Sequence, residues 1–377
     1  MITTIDPPGA ARARHALVQQ LVHGGAITEP VWRAAFEHVP RHLFVPQYYV
    51  PGAGGYEEVT GDVPDQYEEW LSTVYSDTHL VTRVTDGAVT SSASQPSLMA
   101  RMLHHLDLEP GMRVLEIGTG TGFNAGLLRH HTGSHRVVSV DLDPTSVRDA
   151  RCALDALGFG DIITQAGDGA LGHVEHGPYD RIIATCRINR IPTSWLEQLT
   201  DTGRVLAPYG NGLLDLHPTG TQTAQGRFLP TPAAFMPMRL PGSPGVSQRP
   251  QLPTDAAEAT SVSSNDLIDP DFRFLLSVAL PDLVWQYDTD AEGTITAARV
   301  WTPDRSIAEV SFDTAAVAQQ GPGRIWDHIH ALLQWYQDRN RPDRTRYGVT
   351  VTDTTQHIWL DTTDSPVPQF SPGGLAR

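Results

Sequence analysis

Short apolar runs and longer stretches of helical period alternate through the middle of this chain. Residues 113–117, 137–141, 161–165, 179–185 and 204–207 read as strands. Ile182, Ile183 and Ala184 follow one another without polar alternation, as in a strand buried on both faces. Residues 124–130 and 195–199 read as helices between them. A further helix opens at Asp143, a capping residue, with Pro144 in its first position. Val147, Ala150, Leu154 and Leu157 form its apolar stripe, and Gly158 closes it. Strands that alternate with helices predict a mostly parallel α/β sheet covered on both faces. Residues 213–216 and 226–229 predict an added antiparallel hairpin.

On either side the pattern changes. Residues 11–23 and 29–38 read as helices, the first followed by Gly24-Gly25 and the second ending at Pro40. Residues 51–65, rich in Gly, Pro and acids, read as a loop, and 74–90 as mixed, extended chain. Residues 97–108 form a helix with Leu98, Met102 and His105 or Leu106 on one face. The stretch 240–264 is rich in Pro, Gly, Ser and Thr and reads as a linker. Beyond it lies a small α+β module: helices over 271–280 and 324–337, and strands near 294–301, 308–312, 349–351 and 357–360. The expected division is an N-terminal helical or lid segment (1–90), an α/β domain (91–240), a linker (241–264) and a C-terminal accessory module (265–377).

The most specific chemistry lies at Val114-Leu-Glu-Ile-Gly-Thr-Gly-Thr-Gly122. A strand runs into three glycines at every second residue, and a helix follows. Such a turn lies at the carboxyl end of a strand, where doubly wound folds bind ligands. A dinucleotide loop is spaced G-x-G-x-x-G and receives a pyrophosphate. Here Glu116 precedes the glycines, which would repel a pyrophosphate and suit a cation. S-adenosylmethionine carries an ammonium and a sulfonium and has no phosphate. Asp141 ends the next strand about 20 residues later, where an acid can hold ribose hydroxyls. A glycine turn alone could arise by chance; Glu116, the triplet and Asp141 in register point to the methyl donor.

Composition narrows the partners. The 377 residues suit two domains, and a 40% apolar content allows a real core. The net charge of −16 argues against nucleic acid or an anionic membrane as partner. All 27 basic side chains are Arg, so lysine Schiff-base chemistry is excluded. Cys152 and Cys186 have no CxxC partner, which indicates neither a disulfide framework nor a metal site; both read as small packing residues on buried stretches. The N-terminus lacks a basic region followed by an apolar run, and no apolar run is long enough to span a bilayer. A soluble, reduced, cytoplasmic protein is expected.

Several further segments fall in one order: Val39-Pro-Arg-His-Leu-Phe-Val-Pro46, Tyr75-Ser-Asp77, Ser94-Gln-Pro96, Gly167-Asp-Gly169, Tyr179-Asp-Arg-Ile-Ile-Ala-Thr185 and Ile191-Pro192. With the glycine motif they resemble protein-L-isoaspartate O-methyltransferases over about 31–239. The resemblance implies a class I, Rossmann-like methyltransferase fold, S-adenosylmethionine as cofactor (S-adenosylhomocysteine as product), and a peptide or protein bearing Asp or isoAsp as acceptor. Ser94 matches the family's active-site serine. Ser91, Ser92 and Ala93 match a flanking segment that touches the cofactor. Glu116, Ile117, Gly118, Thr119, Gly120 and Asn124 match the methionine-side loop, Asp141 and Leu142 the ribose contact, Asp168 and Gly169 the adenine contact. The family's Ile is replaced by Ala93, its aromatic or imidazole by Ser97, and the chain runs past the usual family end. These departures, with Gly226-Arg-Phe-Leu-Pro230 and Phe235-Met-Pro-Met-Arg239, resemble the branch found in ribosomal-peptide biosynthesis beside ATP-grasp (graspetide) or lanthipeptide enzymes. Members of that branch methylate an Asp in a peptide, and the ester closes to an aspartimide.

An Asp carboxylate, with a reference pKa of about 3.9, is already ionised at neutral pH, so no general base is needed. Alignment and exclusion of water are the task, and hydroxyls suit it. Ser94 could orient the acceptor or cap the helix beginning near Pro96. Ser92 and Ser97 could contact substrate or be ordinary loop serines, as could Ser91 at the cofactor. Asp77 reads as a turn residue. Arg187 and Arg190 could hold acidic groups of a peptide or be plain surface charge. Three readings follow: an Asp-specific methyltransferase acting on a pre-cyclised ribosomal peptide, an L-isoaspartyl repair enzyme, and a non-catalytic peptide-binding protein.

Overall fold

The computed structural model describes residues 6–52, 54–242, 250–251 and 256–370. Helices α1 (Ala10–His23) and α2 (Pro30–His38) lead into strands β1 (Gln47–Gly52) and β2 (Gly55–Thr60), helix α3 (Tyr67–Val74), and strands β3 (Leu80–Thr85) and β4 (Ala88–Ala93). The four strands form one sheet in the order β2-β1-β3-β4. Part of the stretch expected as a loop is therefore strand. In β2 only Val59 is buried; the ladder to β1 holds it, so no apolar alternation marks it in the sequence.

Helix α4 (Pro96–Leu106) opens the central layer. It is followed by β5 (Val114–Ile117), α5 (Phe123–Thr132), β6 (Val137–Asp141), α6 (Pro144–Ala156), β7 (Ile163–Ala166), β8 (Tyr179–Ala184), α7 (Thr193–Glu197), β9 (Leu199–Tyr209), β10 (Gly212–Gly220) and β11 (Thr223–Pro232). Asp143 caps α6 as expected, accepting from the Thr145 N–H at 2.9 Å. Consecutive residues Ile182 and Ile183 pack into two different apolar clusters, so β8 is covered on both faces. The fold is the α/β, Rossmann-like one the alternation predicts.

The C-terminal part contains β12 (Glu258–Ala259), α8 (Ser264–Ile268), α9 (Pro270–Ala279), β13 (Val284–Thr289), β14 (Ile295–Trp301), β15 (Ile307–Ser311), β16 (Ala316–Gln320), α10 (Ile325–Gln337), β17 (Tyr347–Val351) and β18 (Gln356–Leu360). β12 lies within the expected linker, of which residues 243–249 and 252–255 fall outside the described residues. β12 to β16 make their own five-stranded sheet. β17 and β18 instead join the central sheet, whose nine strands run β18-β17-β11-β10-β9-β8-β5-β6-β7. That sheet is parallel from β7 to β9 and antiparallel from β9 to β18. Phe274 of α9 locks the two parts together, with its ring 4.7 Å from Phe228 and 5.3 Å from Tyr347. Each such edge-to-face pair adds about 0.5–1.5 kcal/mol beyond its buried area.

Candidate active site

Strand order reverses at β5, which has β6 on one side and β8 on the other. This is where an open α/β sheet leaves a crevice at the strand ends. Gly118 sits there at φ +99°, and a Cβ would lie 2.7 Å from the Thr185 Oγ1 that follows β8. Gly122 sits at φ +87°, with space for a Cβ closed by Ala150 of α6 at 2.8 Å. The loop thus needs glycine both for its turns and for close packing. Asp141 fixes its shape: Oδ2 accepts from the Gly120 N–H at 2.9 Å and Oδ1 from the Asp143 N–H at 3.0 Å.

Glu116 is fully buried beneath this loop. Ser139 donates to its Oε2 at 2.5 Å, and Asn124 donates to its Oε1 at 2.8 Å. The Ser139 proton is thereby used, so Thr119 donates to the Ser139 Oγ, at 2.7 Å. Burial pushes the Glu116 carboxyl up to about 7, the two hydrogen bonds opposing this and Asp141 adding to it. The Asn124 Oδ1 is buried without a partner. A carboxyl held against its will and an orphaned acceptor fit an ammonium group entering the cavity.

The cavity is a cleft open to solvent, with about 980 Å³ of space counted to its mouth and beyond. One wall is the end of β4 with Ser91, Ser92, Ala93 and Ser94. The floor is the 116–124 loop, and Asp141 and Leu142 form the far edge. Thr185, Cys186 and the 235–239 segment close the remaining side. Burial pushes the Cys186 thiol up to about 12, so it is a protonated wall group, not a nucleophile.

Arg41 sets the position of Ser94. It is 1% exposed and donates to the carbonyls of Val74 (2.8 Å), Ser76, Thr78 and Ser94 (3.1 Å each). One guanidinium thereby ties the 74–78 turn to the active-site strand end. Burial lowers its pKa to about 10, against the field of Asp77. The helix after Ser94 has Gln95 as its N-cap, with no side-chain cap. Asp77 fills that need, accepting from the Ser97 N–H at 2.8 Å. Ser94 is therefore not the cap, and it lines the cavity.

A family model for protein-L-isoaspartate(D-aspartate) O-methyltransferases matches residues 12–223, more than half of the chain. The chain belongs to this family. With the family come its enzyme class, carboxyl O-methyl transfer, and its cofactor, S-adenosylmethionine. The chain is 31% identical to a protein-L-isoaspartate O-methyltransferase of Hyperthermus butylicus over 249 residues, covering 62% of this chain and 92% of that one. It is 42% identical to the Thermotoga maritima enzyme over 139 residues, spanning 44% of that relative's length. A solved protein-L-isoaspartate O-methyltransferase superposes with a TM-score of 0.55 at 23% identity, over 93% of this chain and all of the other. That likeness concerns fold, and it extends through the C-terminal part. The family model itself ends at residue 223, so most of the C-terminal part lies beyond it.

Thirteen of the candidate site residues line one cavity: Ser91, Ser92, Ala93, Ser94, Glu116, Ile117, Gly118, Thr119, Gly120, Asn124, Asp141, Leu142 and Gly169. Three do not. Asp168 caps the following turn, its Oδ1 accepting from the Ala170 N–H at 2.9 Å, and is not among the lining residues. Ser97 lies in the first turn of α4, outside the lining. Arg187 faces a second pocket. The sequence reading missed Met99, Thr185, Cys186 and the 235–239 wall. The Phe235-Met-Pro-Met-Arg239 run was itself the available signal, an apolar stretch outside any regular element. Cys152 is exposed, because the buried stripe of α6 runs through Ser146, Ala150 and Leu154. Among the described residues no helix is long and apolar enough to cross a membrane. They also include one surface group of metal-ligand type, His173, Glu175 and His176.

Glu116 makes stability depend on pH. Its folded pKa of about 7 lies above its ordinary 4.5, so between those values the folded state holds more protons. Stability is then full below pH 4.5 and falls as pH rises through 7. Urea unfolding of the cofactor-free chain should show this slope, and Glu116→Gln should flatten it. A slope unchanged by the substitution would assign the effect elsewhere.

Proposed function

We propose that this chain methylates the free carboxylate of an L-isoaspartyl residue in a peptide or protein. The observation that supports the reading is one cavity lined both by Ser94 and by the Glu116–Gly120 loop. The cofactor would supply a methyl group on a sulfonium, activated toward an anionic oxygen. Glu116 and Asn124 would hold its ammonium end, and Asp141 the ribose. The acceptor arrives ionised at neutral pH, so the protein's work is orientation and removal of water. Ser94 would hold one carboxylate oxygen through its hydroxyl, leaving the other to react. Ser94→Ala should lower kcat/KM about 10- to 100-fold and leave S-adenosylhomocysteine affinity unchanged. An unaltered kcat/KM would remove Ser94 from this role.

A second reading rests on one specific feature. Ala93 lines the cavity beside Ser94 where the repair enzymes it resembles carry Ile, which leaves more room at the acceptor. The acceptor would then be an Asp of a modified, pre-cyclised precursor peptide. Its methyl ester would be attacked by the next backbone nitrogen, which expels methanol and closes an aspartimide. Mass spectrometry separates the two readings. Net loss of water from a precursor Asp peptide, with generic isoaspartyl peptides untouched, supports the second and overturns the first.

A further inference from the structure

Behind the cofactor cavity lies a separate pocket of about 400 Å³ of open space, between the central sheet and the C-terminal part. Arg187, Arg273, Trp285 and Tyr287 are among the residues that line it. The two pockets share a wall. Cys186 lines the first cavity and Arg187 the second pocket. The Arg187 backbone pairs with the cofactor wall, its N–H donating to Met236 at 2.8 Å and its carbonyl accepting from Met238 at 2.7 Å.

The charge here is unusual for a chain of net −16. The Nε of Arg187 is buried with no hydrogen-bond partner. Burial lowers its pKa, against the field of Asp282. Arg273 is exposed and lies over the Tyr287 ring, 5.8 Å from its centroid. Trp285 and Tyr287, two apart on β13, stack at 5.8 Å with an interplanar angle of 11°. A desolvated guanidinium with an unused donor calls for an anion, and Arg favours carboxylate. A stacked aromatic pair beside it suits the apolar stem of a side chain or a stretch of peptide backbone.

We propose that this pocket is a peptide subsite that receives an acidic side chain of the substrate a few residues from the methylated carboxylate. Arg187 and Arg273 hold that second carboxylate while Trp285 and Tyr287 pack its flanking chain. The C-terminal part would then select which Asp or isoAsp is modified. The proposal rests on the reading of the chain as a peptide carboxyl methyltransferase.

The test uses the full chain saturated with S-adenosylhomocysteine, and labelled peptides of Ala and Gly that carry one isoaspartate. A single Glu or Gln is placed at each position on either side in turn. Fluorescence anisotropy should show one position at which Glu binds about tenfold tighter than Gln. Arg273→Gln, an exposed change that spares the fold, should reduce this preference, and Arg187→Gln with Arg273→Gln should abolish it, with S-adenosylhomocysteine affinity unchanged. Equal binding of Glu and Gln peptides at every position, or a preference that survives the double substitution, overturns the subsite. Methyl transfer is scored separately with S-adenosylmethionine. An Arg-dependent preference without methylation of any peptide would leave the subsite standing and overturn the enzymatic reading.

Discussion

An Asp141→Ala chain is expected to bind S-adenosylhomocysteine about 100-fold more weakly than the parent. The reason is double. Asp141 receives the Gly120 and Asp143 N–H groups, and hydrogen bonds to a charged acceptor each contribute about 1.5–3 kcal/mol. Removing the carboxylate frees the glycine loop from the end of β6 and also removes the expected ribose contact. Two such losses, each at the lower figure, amount to roughly two powers of ten in Kd. Asp141→Asn, which keeps an acceptor oxygen, should fall between the two. Calorimetric titration reads the result directly. Undiminished affinity in Asp141→Ala would mean that the cofactor lies elsewhere.

The second large effect is at Arg41, which does not line the cavity but holds the Ser94 carbonyl. Arg41→Met leaves four carbonyl oxygens without their donor. Each buried acceptor left unsatisfied costs about 1–3 kcal/mol, partly offset because a buried cation is removed as well. A net loss of about 2–4 kcal/mol is expected, seen as a lower urea midpoint. Because Ser94 is one of the four partners, kcat/KM should fall even where the chain remains folded. Arg41→Lys should recover part of the stability, since an ammonium can still serve up to three carbonyls but cannot copy the planar fork. Stability and kcat/KM both unaffected in Arg41→Met would show that the turn and Ser94 hold themselves.

How much of this was legible depended on whether the signal was local. The run Ile182-Ile183-Ala184 declared a strand buried on both faces, and Asp143-Pro144 declared a helix start. The Glu116–Gly122 spacing marked the glycine loop that lines the cavity. Strand β2 gave no such signal, because pairing with β1 and not burial stabilises it. The placement of β17 was invisible for a different reason: its strand character is local, but its partner β11 lies far back in the chain. The cavity wall at 236–238 is held by backbone bonds to Arg187, which no residue spacing announces; the apolar run at 235–239 was its one mark. Asp168 shows the converse, since one oxygen of its carboxylate is engaged by the turn it begins.

The most direct test of the central claim is to incubate the full chain with S-adenosylmethionine and a peptide carrying one isoaspartate, followed by tandem mass spectrometry. The account predicts one added methyl group on the isoaspartyl carboxylate, labile to mild base as an ester is, with stoichiometric S-adenosylhomocysteine. A methyl group found on nitrogen, or one that survives base, would contradict it. So would firm cofactor binding with no transfer to any isoaspartyl or aspartyl carboxylate.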